Sequence, residues 1–149
     1  MGNRRVVERF TRAVSDNDFD TQDALIHDDY IGDYPQSGER IRGRANRRAI
    51  IEGYPGRLET GMRPSIDRVI GMDDQFVTSP PPAWNIVHLA GSGDDYEATG
   101  TIRYPDGKTW HFVSLLTLRA SKIWREVTYF GEPFEAPAWR SQYVERIEP

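Results

Sequence analysis

Four consecutive strand-like segments in the second half of the chain restrict the fold more than any other feature. Apolar, aromatic and β-branched residues dominate them, as is typical of strands. Connections of hairpin length, GSGD, PDG and RAS, join them, and Asp106-Gly107 is a favourable pair for a tight turn. Strands joined in this way pair with their neighbours, so the sequence predicts an antiparallel meander over Trp84–Gly91, Asp95–Tyr104, Lys108–Leu118 and Lys122–Gly131.

The first half of the chain shows helical periodicity instead. An amphipathic helix is expected at Asn3–Ser15, where apolar residues recur at helical spacing. Helices that precede an antiparallel meander indicate an α+β fold in which they pack on one face of a curved sheet. The remaining predicted elements are helices at Phe19–His27, Ala45–Tyr54 and Ala136–Ile147, an extended segment at Asp28–Pro35, and short strands at Ser65–Gly71 and Gln75–Ser79.

Length, charge and composition restrict the class of protein. The 149 residues fit a single domain over 1–149, in which a tail at 132–149 folds back. The chain has no cysteine and its histidines lack ligand spacing, so we expect neither a metal site nor a cofactor. The net charge of −4 argues against nucleic acid as a partner. The sequence shows no apolar stretch of membrane-spanning length and no signal-like segment, so we expect a cytoplasmic protein that does not enter a membrane.

Tight-turn counting assigns the side chains of the meander to two faces. Ile102 is expected opposite His111, and Leu115 opposite Glu126. The face that carries Glu126 is expected under the helices, because small residues leave room there and polar groups are few. On this count the pocket side also carries His111, Asn85, Trp124, Thr128 and Phe130.

The opposite, outer face is too aromatic to be simply solvated. By the same count it carries Trp110, Phe112 and Tyr129, and it places His88 opposite Glu97. Exposed apolar patches of this kind are commonly covered by another protein surface. We therefore expect a homodimer formed through the outer face of the sheet.

Three stretches together resemble the NTF2-like superfamily, in particular its SnoaL-like, polyketide-cyclase-type branch. They are VVERFTRAVSDNDFDTQDALIHDDYIGDYP, SGERIRGRANRRAIIEGY and SKIWREVTYFGEPFEAPAW, and the resemblance spans essentially the whole chain. It implies a cone-shaped (cystatin-like) fold in which helices cap a strongly bent antiparallel sheet around a pocket, often in a dimer. Members include isomerases, cyclases, epoxide hydrolases, dehydratases and non-catalytic binding modules, so the fold alone does not name a reaction.

Comparison with the bacterial ketosteroid isomerases of this superfamily is informative in the negative. Their oxyanion-donating tyrosine falls on Phe10, and their acid on the penultimate strand falls near Val113. Their base, a carboxylate before a proline, falls on Tyr34, with Asp33 one position away. Steroid isomerisation by that mechanism is therefore not expected. The cyclase branch instead resembles this chain in having a histidine and a carboxylate nearest His111 and Glu126.

Glu126 is the leading candidate for chemistry. Desolvation in an apolar pocket disfavours the charged form of a carboxyl group, which raises its pKa toward the range that is useful for a general acid or base. The competing interpretation is a structural carboxylate paired with Arg103 or Arg44. His111 shares the predicted face at roughly 13 Å along the sheet, so the two side chains can only bracket a substrate. Asp33 becomes the candidate carboxylate if the first strand is shifted by one residue.

The other candidate site residues are aromatic or basic. Tyr30 and Tyr34, with Trp124 and Phe130, are expected to line the pocket, although core packing alone explains them as well. The arginines can bind a phosphate or another acid at a helix N-terminus, or form a solvated face with local acid partners. They are Arg40, Arg42, Arg44, Arg47 and Arg48.

Two hypotheses of function follow. The first is a cofactor-independent enzyme of the cyclase, isomerase or hydrolase type that acts on a hydrophobic polyketide-like or terpenoid-like small molecule. Glu126 moves a proton, and His111, Tyr34 or Asn85 steadies the developing oxyanion. The second is a non-catalytic module that binds an apolar ligand or a partner protein.

Overall fold

A computed structural model describes residues 2–54, 68–70, 75–77, 84–104 and 106–147, without the side chains of 68–70, 75–77 and 84–88. The helices of these residues are α1 (Asn3–Ser15), α2 (Phe19–Leu25), α3 (Arg44–Glu52) and a short 3₁₀ helix at Ala138–Tyr143. The strands are β1 (Ile26–Tyr34), β2 (Glu39–Arg42), β3 (Arg68–Ile70), β4 (Gln75–Val77), β5 (Trp84–Ser92), β6 (Asp95–Arg103), β7 (Thr109–Arg119) and β8 (Lys122–Gly131).

The larger sheet has six strands in the order β2-β1-β8-β7-β6-β5, and β3 pairs with β4 in a separate sheet of two strands. The predicted meander from β5 to β8 is confirmed, as is the α+β class. The sheet is mixed, however, because β1 runs parallel to β8, with Gly32 opposite Glu126. A parallel pair between distant segments leaves no hairpin signal in the sequence, so the expectation of a wholly antiparallel sheet was wrong at this edge.

The helices follow the sequence pattern closely at the N-terminus. Helix α1 has the predicted bounds, and its side chains Val6, Val7 and Phe10 are buried. Helix α2 ends at Leu25 because Ile26 is already extended, and the carboxylate of Asp18 caps it by accepting the N–H of Thr21 at 3.0 Å. The helix predicted at 136–147 is only the 3₁₀ turn at 138–143.

The short strands were predicted less well. Strand β2 was not expected, and it pairs with β1 by placing Ile41 opposite Gly32. Strands β3 and β4 lie within the two segments predicted after residue 64.

The predicted register on β7 was wrong by one residue. Tyr104 donates its N–H to the carbonyl of Lys108, so three residues rather than two separate this pair, and Ile102 faces Trp110. At the next hairpin Trp124 is an extra residue in β8, because Leu118 pairs with Ile123 but Thr117 pairs with Arg125. A one-residue shift exchanges the faces of a strand, so the even-numbered residues of β7 point inward.

The core lies between the helices and the inner face of the sheet, which carries Ala98, Phe112, Leu116 and Glu126. Buried side chains from both layers form one cluster, including Phe10 from α1. The outer face carries His111, Val113, Leu115 and Tyr129, and these side chains are exposed. Among the helices described, none is long and apolar enough to cross a membrane.

Candidate functional site

A cavity of about 230 Å³ lies between the helices and the inner face of the sheet. Small residues of β6 leave the space, and Ala98 is part of the wall. Most of the lining is apolar, from α1, α3 and β7: Phe10, Val14, Ile50, Ile51, Phe112 and Leu116. A largely apolar wall with a few polar groups is typical of small-molecule sites.

One carboxylate, that of Glu126, lines this cavity at the middle of β8. Its Oε1 accepts a hydrogen bond from the hydroxyl of Tyr30 at 2.8 Å and one from Nε of Arg47 at 3.2 Å. The Glu126 side chain is 15% exposed and that of Arg47 is 6% exposed, so this ion pair is largely removed from water. Buried charges of this kind require partners, and here each charge is the partner of the other.

A second set of contacts fixes the guanidinium of Arg47. Its Nη1 donates to the side-chain oxygen of Gln22 at 2.7 Å, and Gln22 in turn donates to the carbonyl oxygen of Ala13 at 3.0 Å. The ring of Phe10 lies below the guanidinium, 5.1 Å from Cζ to the ring centroid. Residues of helices α1, α2 and α3 therefore together hold the guanidinium of Arg47 against the sheet.

Two polar atoms of this cluster have no hydrogen-bond partner among the described residues. They are Oε2 of Glu126 and Nη2 of Arg47. Both residues line the cavity. The cluster can therefore offer one acceptor and one charged donor to a molecule in the cavity.

The local backbone explains why these groups meet. Arg47 lies in the first turns of α3, which begins after Gly43, and it is the buried side chain of that helix. Tyr30 and Glu126 lie on β1 and β8, which are neighbours in the sheet. Between them Gly32 leaves the necessary space, since a β-carbon there would lie 2.5 Å from the Tyr30 hydroxyl.

The electrostatics of the cluster follow from burial and from the Glu126 charge. Burial, reinforced by the Glu126 carboxylate, raises the pKa of Tyr30 well above its usual value. The same two causes raise the pKa of Tyr34 to about 12. For Arg47, burial is the largest single effect and opposes the charged form, but attraction to Glu126, the hydrogen bond to it and the neighbouring tyrosines together outweigh burial, and the pKa of the guanidinium is raised. Both tyrosines are therefore hydroxyl donors at neutral pH.

A pair of hydroxyl groups adds a second polar spot to the wall. Ser114 and Thr128 are opposite each other on β7 and β8, and their oxygens are 3.0 Å apart. Thr128 is two residues from Glu126 along β8, so this pair lies roughly 6–7 Å along the strand from the carboxylate. Both side chains line the cavity.

Several residues chosen from the sequence do meet in this cavity. Glu126, Tyr34, Thr128 and Phe130 line it, and the rings of Tyr34 and Phe130 pack edge to face with centroids 5.6 Å apart. Tyr30 is fully buried, and its hydroxyl donates a hydrogen bond to Glu126. An arginine does pair with Glu126, as the competing interpretation expected, but it is Arg47 rather than Arg44 or Arg103.

Three predicted positions are corrected. His111 lies on the outer face, exposed and opposite Gly131, because β7 is shifted by one residue. Asp33 points away from the cavity and binds Arg40 through both oxygens, at 2.7 and 2.9 Å. Trp124 is the bulged residue of β8, and its ring packs under the guanidinium of Arg119, 4.5 Å from Cζ to the centroid.

Asn85 was the remaining predicted ligand contact. Its backbone pairs with Thr101, and its side chain lies outside the part of the chain that the structure describes.

The residue that the sequence underrated is Arg47. It was one of five arginines between 40 and 48, for which one of the two interpretations was a solvated face with local acid partners. That interpretation is confirmed for Arg40, Arg44 and Arg48, which pair with Asp33, Asp28 and a group of three acids. A signal was present nevertheless, since Arg47 is on the face of α3 that must turn toward the core.

Comparisons with known proteins agree with this architecture. The SnoaL-like domain family matches residues 7–126. A search of curated proteins gives no match. An NTF2-like protein of unknown function from Burkholderia xenovorans LB400 has a similar structure, with 32% identity, 98% of this chain and 95% of that chain covered, and a TM-score of 0.72.

Two more distant structures show the fold alone. A ketosteroid isomerase-like protein from Kribbella flavida DSM 17836 is 20% identical over 99% of this chain and 90% of that chain, with a TM-score of 0.74. An LEH-like epoxide hydrolase from M. tuberculosis is 19% identical over 86% of this chain and 81% of that one, with a TM-score of 0.56. With the family match over most of its length, the chain belongs to the SnoaL-like family of the NTF2-like superfamily.

Proposed function

We propose that the protein binds a hydrophobic small molecule with a carbonyl group in the cavity and that Glu126 transfers a proton on it without a cofactor. One observation carries this proposal. Glu126 is held through Oε1 by Tyr30 and Arg47, while Oε2 has no partner among the described residues. A carboxylate that is anchored through one oxygen and open at the other is suited to accept a proton from a bound molecule.

The cavity restricts the size of the molecule. An apolar cavity of about 150 Å³ accepts one benzene ring. The cavity here is about 230 Å³, which suits two fused rings or a branched chain of similar bulk. Polyketide-like and terpenoid-like fragments are of this kind, and the polar cluster would orient their oxygen.

The reaction class that fits is proton abstraction next to a carbonyl, the first step of many isomerisations and cyclisations. The α C–H bond breaks, its proton forms an O–H bond with Oε2 of Glu126, and the electron pair moves to the carbonyl oxygen. No oxidant or reductant is needed. The apolar wall strengthens electrostatic interactions at the reacting atoms by excluding water.

The test uses 2-tetralone, a ketone of two fused rings whose α protons exchange slowly with solvent. We expect the wild-type protein to accelerate deuterium incorporation from D₂O, followed by NMR, and Glu126→Gln to lose at least about tenfold of this acceleration. Glu135→Gln, in the tail, is the control. Exchange that is equally fast with Glu126→Gln would eliminate the proton-transfer role.

A second candidate function is a non-catalytic binding module. The observation that favours it is that Arg47 and Tyr30 both bind Oε1, so the carboxylate already has a structural role in the cluster that needs no proton transfer. This alternative expects 2-tetralone to bind in the cavity without any acceleration of exchange.

We also propose that two copies associate through the outer face of the sheet. Val113, Leu115 and Tyr129 are 38%, 44% and 43% exposed there, which is unusual for large apolar side chains that lie side by side. The tail after β8 leaves Phe134 and Trp139 exposed as well, so packing of this tail against a second copy would cover further apolar surface.

A further inference from the structure

We infer that Arg47 donates a hydrogen bond to the carbonyl oxygen of the ligand and stabilises the enolate anion that forms on this oxygen. This assignment rests on the proposed function and names the ligand class of the same site: ketones of two fused rings and the anionic aromatic alcohols that resemble their enolates. The sequence suggested His111, Tyr34 or Asn85 for this oxyanion role and did not single out Arg47.

The ion pair between Arg47 and Glu126 is incomplete in a specific way. Nε of Arg47 donates to Oε1 of Glu126 at 3.2 Å, but no second bond joins Nη2 to Oε2. In the pair between Arg40 and Asp33, by contrast, Nε and Nη2 both donate, at 2.7 and 2.9 Å. Among the described residues, the guanidinium fork of Arg47 therefore leaves Nη2 without a partner beside a carboxylate whose Oε2 has none.

The position of the guanidinium is set before any ligand arrives. Gln22 holds Nη1, Glu126 holds Nε, and the Phe10 ring supports the plane from one side. These contacts leave Nη2 as the nitrogen of the guanidinium that has no partner among the described residues. Arg47 lines the cavity. A preorganised donor of this kind stabilises developing charge with little rearrangement.

Charge conservation supports a carbonyl substrate over a permanently charged one. The cluster carries one positive and one negative charge, from Arg47 and Glu126. When Glu126 takes the α proton, its negative charge is replaced by that of the enolate oxygen. The guanidinium then exchanges one anionic partner for another, so the total charge in the cavity stays the same through the step.

An anionic ligand should therefore compete with the Glu126 charge for Arg47. The probe is 2-naphthol, whose phenol and phenolate forms have different absorption spectra, and naphthalene is the apolar reference. We expect bound 2-naphthol to ionise at lower pH than free 2-naphthol. Glu126→Gln should bind the phenolate about tenfold more tightly, because it removes the like charge and leaves Arg47 unpaired.

The opposite change should follow from loss of the donor. Arg47→Lys keeps a positive charge but lacks the fork, and Arg47→Met removes both, so both variants should bind the phenolate more weakly while naphthalene binding is retained. Glu135→Gln and Arg40→Gln are matched controls outside the cavity. If Arg47→Lys or Arg47→Met does not fold, the tightening by Glu126→Gln still tests the assignment.

The outcomes separate the two proposals. If exchange of 2-tetralone is accelerated but phenolate binding is the same in the wild type and in the Glu126 and Arg47 variants, the role of Arg47 alone is overturned. Phenolate binding that follows the expected pattern, without exchange, would support Arg47 and refute proton transfer. Failure of 2-naphthol to bind at all would overturn the ligand class.

Discussion

The hydroxyl of Tyr30 lies 2.8 Å from Oε1 of Glu126, and it occupies the space that a side chain on Gly32 would need. Gly32 is the residue opposite Glu126 on β1. The absence of a side chain at this one position therefore allows a tyrosine from the neighbouring strand to bond the central carboxylate of the cavity. The orientation of Glu126 depends on a glycine that itself bonds nothing in the cluster.

Gly32→Ala should consequently disturb the site without removing any of its polar groups. The new β-carbon would lie 2.5 Å from the Tyr30 hydroxyl, so the ring must move and its bond to Glu126 is lost. We expect a loss of about 1–3 kcal/mol in the free energy of unfolding, measured by urea denaturation. Gly131→Ala is the control, since its β-carbon would be 3.9 Å from the nearest atom. Equal stabilities of the two variants would contradict this account.

A double-mutant cycle should detect the buried ion pair. Arg47→Met leaves Glu126 without its charged partner and Glu126→Gln does the reverse, so each should lower the free energy of unfolding by about 3–5 kcal/mol. The double variant should lose less than the sum of the two, by about 0.5–3 kcal/mol, because no unpaired charge remains. The exposed pair Lys108 and Glu132, at 2.7 Å, is the matched control and should show little coupling. Strict additivity at Arg47 and Glu126 would argue against the pair.

The sequence pattern predicted the parts of this fold that depend on local chemistry. Helix α1 has its predicted bounds, and Glu126 points inward as expected. The bounds of α1 follow from side-chain periodicity within one element, whereas Glu126 has the expected face because the one-residue shift before Lys108 and the one at Trp124 cancel on β8. His111 was placed wrongly because a bulge at Trp124 and a three-residue connection before Lys108 shift the pairing, and neither is marked by residue type alone.

Arg47 was harder to predict for a different reason. A buried arginine is unfavourable unless it pairs with an acid. Here that acid, Glu126, is 79 residues away in the sequence. Only the tertiary structure brings α3 against β8. Local patterns therefore identified the carboxylate of the site but not the cation that completes it.

Alkaline pH should destabilise the protein through its buried tyrosines. The pKa of Tyr34 is raised to about 12 by burial and by Glu126, while tyrosines of the unfolded chain ionise near pH 10. A raised folded-state pKa means that the stabilisation is complete below pH 10 and is lost as the pH rises toward 12. The expected slope is about 1.4 kcal/mol per pH unit for each such tyrosine.

Tyr34→Phe isolates this effect. It keeps the edge-to-face contact with Phe130 and removes the ionisable hydroxyl. Urea denaturation at several pH values from 8 to 12 should show a shallower decline for the variant than for the wild type. The same decline in both proteins would mean that Tyr34 does not contribute.

A dimer through the outer face predicts a charge-sensitive association. Leu115 is 44% exposed at the centre of this face, so Leu115→Glu should shift the protein toward monomer without affecting its fold. Ala45→Glu is the control, because Ala45 is also exposed but lies on α3 and outside the cavity wall. Sedimentation equilibrium over a range of concentrations measures the change. A wild-type protein that is monomeric throughout would refute the dimer.

Filling the cavity should remove binding while the fold remains. Ala98 is 2% exposed and lies on the cavity wall between Leu89 of β5 and Ser114 of β7. A larger side chain there enters empty space rather than a packed core, so Ala98→Leu should change the free energy of unfolding by less than about 1.5 kcal/mol. Binding of 2-tetralone, measured by calorimetry, should fall at least about tenfold because the volume for its second ring is lost. Thr99→Leu, the next residue on the opposite face of β6, should leave binding intact. If Ala98→Leu binds 2-tetralone as well as the wild type does, the ligand does not occupy this cavity.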